Sequence, residues 1–196
     1  MTSVHGFVDE SIRSGVYRLT VVRVVTRDLA LVTRKVREAI PPGRVRIHLS
    51  SERPSTRREI LRAFGRLEVA ATVLETPHPR GDDQPARDRC LRAPVGAIES
   101  DPITVLILDT RGPDRDKLDR SALALALGER HLHYAHRGSR DEPLLALPDA
   151  IGWAIGAGPA LRCARERDLQ DSSLLTGQMC CRTALRAAIL GACSLH

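Results

Sequence analysis

The stretch His5-Gly6-Phe7-Val8-Asp9-Glu10-Ser11 places two adjacent carboxylates and a hydroxyl directly behind a short apolar run. In a strand successive side chains point to opposite faces, so Phe7 and Asp9 share one face while Val8 and Glu10 share the other. One acid therefore looks inward. Desolvating a carboxylate costs several kcal/mol unless it is paired or holds a cation, so an inward acid calls for a partner. Two more aspartates stand at comparable places: Asp109 ends the apolar run Ile103-Thr104-Val105-Leu106-Ile107-Leu108, and Asp149 sits in a helical stretch opening at Asp141-Glu142-Pro143. Carboxylates are hard oxygen donors, the kind that suit Mg²⁺.

Glu10 and Glu52 are candidates for a fourth acidic ligand. His48, just before a basic helical stretch, could orient a carboxylate or a phosphate, and Arg53, Arg57 and Arg58 on that stretch are candidates for contact with a nucleic-acid backbone. The Arg53, Arg57, Arg58, Arg62, Arg66 series spreads around the helix, so only part of it can touch phosphates. His131, His133 and His136 read as neighbours of a sheet more than as a metal cluster, and Trp153, the only tryptophan, reads as core packing.

These residues need elements to carry them. Val16–Val25 alternates as a second strand, hairpinned onto the first across the polar Ser11–Gly15. A helix is expected from Leu29 to Ile40, stopped by Pro41-Pro42-Gly43, then a third alternating strand over Arg44–Leu49 and a helix over Pro54–Leu67. Further on come a strand at Glu68–Glu75 and a helix around Ala86–Ile98 interrupted at Pro94. The Ile103–Leu108 strand, a helix over Asp114–Leu127, a short strand at Arg130–His136 and the helix that carries Asp149 follow. Strands followed by alternating helix and strand form an α/β pattern with a mixed central sheet and flanking helices. Sheets of this kind place their chemistry where strands hand over to loops. Beyond Gly158-Pro159 the pattern weakens into a Cys- and Ala-rich tail. The expected organisation is one α/β domain over residues 1–158 and a partly helical or disordered tail over 159–196.

The 196 residues are 3% aromatic, so the core must be aliphatic, and a net charge of +6 carried almost wholly by Arg favours an acidic or phosphate-rich partner. The same Arg- and Ala-rich composition also follows from a high-GC genome. Nothing approaches the ~20 apolar residues of a membrane span, and no early apolar run makes a signal peptide, so a cytoplasmic location is expected. Five cysteines without a C-x-x-C pair argue for free thiols.

The segments Phe7-Val8-Asp9-Glu10-Ser11, Arg46-Ile47-His48-Leu49-Ser50-Ser51-Glu52, Thr104–Arg111 and His133–Ala154 together resemble a bacterial domain-of-unknown-function family, number three thousand eight hundred, over roughly Val4 to Gly158. That family's signature is an opening strand ending in Asp-Glu-Ser and a late helix with Gln-x-x-Asp. The resemblance implies a ribonuclease H-like fold and a nuclease whose carboxylates, from the first strand, a later strand and a late helix, hold two divalent cations, Mg²⁺ or Mn²⁺. Asp9, Asp109 and Asp149 would be the metal ligands, with Glu10 and Glu52 beside them. Ala146 stands where the family has Gln, and Pro148 precedes Asp149 inside the helix. This motivates a second reading: a nucleic-acid-binding or regulatory module of a mobile-element or defence system with a degraded metal site. The two readings separate on whether the three aspartates converge.

Overall fold

The computed structural model describes residues 3–78, 81–97, 103–129, 131–157 and 175–179. Val4–Arg13 (β1) and Val16–Val25 (β2) form an antiparallel hairpin in unbroken register from Val4↔Val25 to Arg13↔Val16. Its turn is the pair Ser14-Gly15, both at positive φ (54° and 72°), the backbone that matches the right-handed twist of a tight hairpin. The polar Ser11–Arg13, expected to connect the strands, instead continues β1 and pairs with Tyr17 and Arg18.

Ala70–Pro77 (β3) pairs antiparallel with β2, while Ile103–Asp109 (β4) lies parallel to β1 and His133–Arg137 (β5) parallel to β4. Leu175–Met179 (β6) adds antiparallel to β3, giving the order β5-β4-β1-β2-β3-β6. The α/β class with a mixed sheet is therefore as expected. The strand formed by Leu175–Met179 falls in the tail expected to be partly helical or disordered, and the remainder of that tail lies outside the described residues.

Among the described residues five α-helices cover the two faces. Leu29–Ala39 (α1), Pro54–Phe64 (α2) and Ala146–Ala157 (α5) pack on the face that carries Phe7, Val22, Val24, Val73 and Ile107. Gln84–Ala97 (α3) and Pro113–Leu127 (α4) cover Val8, Leu19, Leu74 and Leu108 on the other. The period-2 alternation of β1 thus assigns Phe7 and Val8 to opposite cores. α3 stays helical through Pro94, where an interruption was expected. Pro148 is the third residue of α5, and its missing N–H would have had no intrahelical acceptor there, so it does not break the helix.

Arg44–Leu49 is not a strand. Its alternation is real, since Ile47 and Leu49 are buried and Val45 is exposed, but no neighbouring strand accepts its backbone groups. Side chains satisfy them instead: the Leu49 N–H donates to Asp149 Oδ2 at 2.7 Å, and the Leu49 carbonyl accepts from Arg57 Nε at 2.8 Å. A single 3₁₀ turn over Leu49–Ser51 follows. Among the described residues no helix is long and apolar enough to cross a membrane. Cys90 is a free thiol, buried in α3, and burial pushes its pKa up to about 12. The other four cysteines lie outside the described residues.

Candidate active site

The parallel ladder between β1 and β4 ends at Val8↔Leu108. One residue further on, Asp9 and Asp109 leave their strands side by side on the face covered by α5. β1 continues past this point with β2 alone, so the departure of β4 opens the sheet beside Asp9. α5 crosses the opening and sets Asp149 in its first turn. The three aspartates line one cleft of about 280 Å³ together with Glu10, Arg46, Ile47, His48, Ser139 and Leu145. The three aspartates thus share one cleft, and the charges of Asp149 and Asp109 reach Asp9.

The electrostatics of the cleft follow from that crowding. Burial raises the Asp9 pKa well above the ordinary carboxylate range, and the charges of Glu10, Asp149 and Asp109 push it further, against one hydrogen bond from the Glu10 N–H at 2.7 Å. Asp109 is raised as well, chiefly by burial and then by Asp149, with its Thr110 backbone contact and Arg46 pulling the other way. Among the described residues neither Asp9 nor Asp109 has an ion-pair partner. Asp149 faces His48, whose Nδ1 lies 3.4 Å from Oδ1, and this contact raises the His48 pKa.

Glu10 and Glu52 are held elsewhere. Glu10 points to the opposite face, where its carboxylate accepts from the fully buried Arg87 and lies 3.6 Å from Arg111. Glu52, also buried, is paired with Arg44 and does not line the cleft. Both acids were expected near the metal ligands, and each has a cation of its own.

Of the three arginines expected to touch nucleic acid, Arg53 and Arg58 are exposed on α2, away from the cleft. Arg57 turns inward, donating to the carbonyls of Leu49 and Ser50 at 2.8 and 2.6 Å. It lines a second cleft of about 510 Å³ that continues from the first through His48 and Asp149. Arg46, which sequence reasoning passed over, and Trp153, read there as core packing, also belong to these walls. The signal for Arg46 was its place in the alternation opposite Ile47; Trp153 follows Asp149 by four residues, on one helical face.

A further acidic group lies beneath the sheet. Asp116, Asp119 and His136 bring ligand atoms within 4.8 Å of one another, a closeness that Asp9, Asp109 and Asp149 do not reach among the described residues. The difference is that cations already sit here: both Asp119 oxygens accept from Arg87 at 2.7 Å, and Arg111 stands 3.6 Å away. Burial would raise Asp119, but the His136 and Arg87 hydrogen bonds outweigh it and hold the pKa at about 2. The Thr110 hydroxyl and the Arg111 N–H donate to Asp116. Of the three histidines on this edge only His136 joins an acidic cluster; His131 and His133 are exposed.

No family model matches the chain and no curated protein is similar to it in sequence. Among solved structures it is similar to the ribonuclease H2 from Pyrococcus horikoshii OT3, with a TM-score of 0.54 and 14% identity, over 92% of this chain and 83% of that one. The fold is therefore ribonuclease H-like, as the resemblance in the sequence implied; membership of the domain-of-unknown-function family has no family model behind it.

Proposed function

We propose that the chain is a divalent-metal-dependent nuclease that hydrolyses phosphodiester bonds at the Asp9–Asp109–Asp149 cleft. The observation that carries this reading is the convergence of three aspartates, from adjacent parallel strands and the helix over them, with no internal cation on Asp9 or Asp109. A protein that only needed a folded sheet would have placed a partner there, as this one does for Glu10, Glu52 and Asp119. The all-oxygen donor set suits Mg²⁺ or Mn²⁺, and the ~4 Å between paired metal ions spreads such ligands wider than one ion's shell. When bound, such ions supply a Lewis acid for the phosphoryl oxygen and a hydroxide nucleophile near neutral pH.

The chain's own residues do the rest. Asp149 is oriented by the Leu49 N–H and by His48, so the irregular Arg44–Leu49 segment serves as a clamp on the late-helix ligand. Arg46, exposed at the rim, offsets part of the charge around Asp109 and is placed to meet a phosphate entering the cleft. Glu10, engaged with Arg87, borders the cleft without contributing its carboxylate. The structural likeness to a ribonuclease H2 supports nucleic acid as the substrate.

The experiment is a calorimetric titration of Mg²⁺ and Mn²⁺ into the protein, followed by a cleavage screen on single- and double-stranded DNA, RNA and their hybrid. Saturable binding with cation-dependent cleavage of at least one substrate is expected. Failure of either cation to bind at millimolar concentration removes the enzyme reading and leaves the nucleic-acid-binding or regulatory module.

We further propose that residues 1–158 are the folding unit. β6 pairs with the outer edge of β3, whereas among the described residues both cores and all three aspartates come from the preceding elements. A chain ending at residue 158 is expected to melt cooperatively and to bind cations like the full-length protein. Its bared β3 edge makes aggregation the opposing outcome, and non-cooperative melting would show that the tail completes the fold.

A further inference from the structure

We infer that the larger cleft is a stacking subsite in which an unpaired nucleobase lies against Trp153, next to the phosphate held at the carboxylates. The inference rests on the nuclease reading and names the form of substrate it takes. Phe7, Phe64 and Tyr17 are buried and Tyr134 packs on the opposite face of the sheet, whereas Trp153, half-buried against the α5-side core, lines a cleft of about 510 Å³. Asp149 belongs to both clefts, and Trp153 follows it by four residues on the same face of α5, about 6 Å along the helix axis. That is the reach from one nucleotide to its neighbour.

The surroundings of the indole suit a nucleotide. The Arg57 guanidinium lies over the ring at 4.9 Å from its centroid, fixed there by its two carbonyl acceptors. Arg13, exposed on β1, stands at 6.0 Å and has no comparable anchor. One cation is thus rigid and the other free to follow a phosphate, with the His48 ring on the wall between the two clefts. Gly152 keeps α5 close to the hairpin: a Cβ there would lie 3.0 Å from the Ser11 and Thr20 hydroxyl oxygens, which would have to give by a few tenths of an ångström. A base can reach the face of an indole only when it is not stacked inside a duplex, so the subsite selects single-stranded or splayed-out nucleotides.

Trp153 is the chain's only tryptophan, so its fluorescence reports the subsite directly. The full-length protein is titrated with a single-stranded oligonucleotide and with a blunt hairpin duplex of the same composition, in Ca²⁺ to suppress cleavage. Binding is followed in parallel by anisotropy of a label on the nucleic acid. Expected are saturable quenching by the single strand, little by the duplex, and a loss of single-strand affinity of roughly 5- to 150-fold in Trp153→Ala, largely restored in Trp153→Phe. Binding and cleavage with unchanged wild-type fluorescence would overturn the subsite and leave the nuclease reading standing. Absence of any nucleic-acid binding would overturn both. Should Trp153→Ala fold poorly, the quenching of wild type and the affinity of Trp153→Phe still decide.

Discussion

Asp9→Asn is expected to abolish cation-dependent cleavage, by about 10³-fold or more, while leaving the fold intact. Replacing outer groups that merely orient a metal ligand costs 10- to 100-fold, and a direct ligand, the role proposed for Asp9, costs more. The same substitution has a second, opposite signature in stability. In cation-free protein the Asp9 pKa is raised well above 3.8, first by burial and then by Glu10, Asp149 and Asp109. The native state therefore holds this proton more tightly than the unfolded chain does. Stability from this group is present below the ordinary carboxylate pKa and is lost as pH rises from 3.8 through the raised value, remaining low at neutral pH. Asn carries no charge, so the variant should lack this decline and melt at or slightly above the wild-type temperature in chelator at pH 7. Saturating Mg²⁺ should invert the order, because only wild type gains binding energy, about 2.7 kcal/mol at a hundred times Kd. Paired melts in chelator and in Mg²⁺, with activity scaled to folded protein, give both readings. A variant destabilised by several kcal/mol in chelator but active per folded molecule would make Asp9 a structural residue.

The parts of this site that were legible in the sequence are those set by local periodicity. Phe7 and Asp9 share a face because strands alternate, and Asp109 stands where an apolar strand hands over to a loop. Asp149 follows from the helical spacing of its segment. What escaped depended on partners far along the chain. The alternation of Arg44–Leu49 looked like a strand because alternation reports which side is buried, not which groups complete the backbone hydrogen bonds; here Asp149 and Arg57 do so. Glu10 looked like a ligand because its cation, Arg87, lies 77 residues away. His136 looked isolated for the same reason, its acids being Asp116 and Asp119 on α4. Trp153 does pack against the core, as read; what the sequence could not show is that its other side lines a cleft.

Arg87→Ala is expected to be the most destabilising single substitution away from the cleft. The side chain is fully buried and donates through Nε and Nη2 to both oxygens of Asp119 at 2.7 Å, and through Nη1 to Glu10 and, at 3.3 Å, to the Tyr17 hydroxyl. Removing it leaves two carboxylates without their main cation in a low-dielectric layer between α3, α4 and the sheet. Breaking a buried pair from one side costs about 3–5 kcal/mol, a large part of the 5–15 kcal/mol that holds a domain together. Asp119 now sits at a pKa of about 2, so it contributes stability above 3.8 that is lost only as pH falls toward 2. Without Arg87 that contribution should shrink, and the variant's remaining stability should no longer fall so steeply in acid. Arg87→Lys should recover little, because an ammonium cannot reproduce the two-pronged contact with Asp119. Neutralising the stranded acids, as in Arg87→Ala with Glu10→Gln and Asp119→Asn, should recover part of the loss, and the excess over additivity measures the coupling. Denaturant melts of wild type, these three variants and the Glu10→Gln/Asp119→Asn protein decide. A single variant within about 1 kcal/mol of wild type would show that solvent reaches this layer and that the network, despite its burial, does not hold Glu10 away from the aspartate cleft.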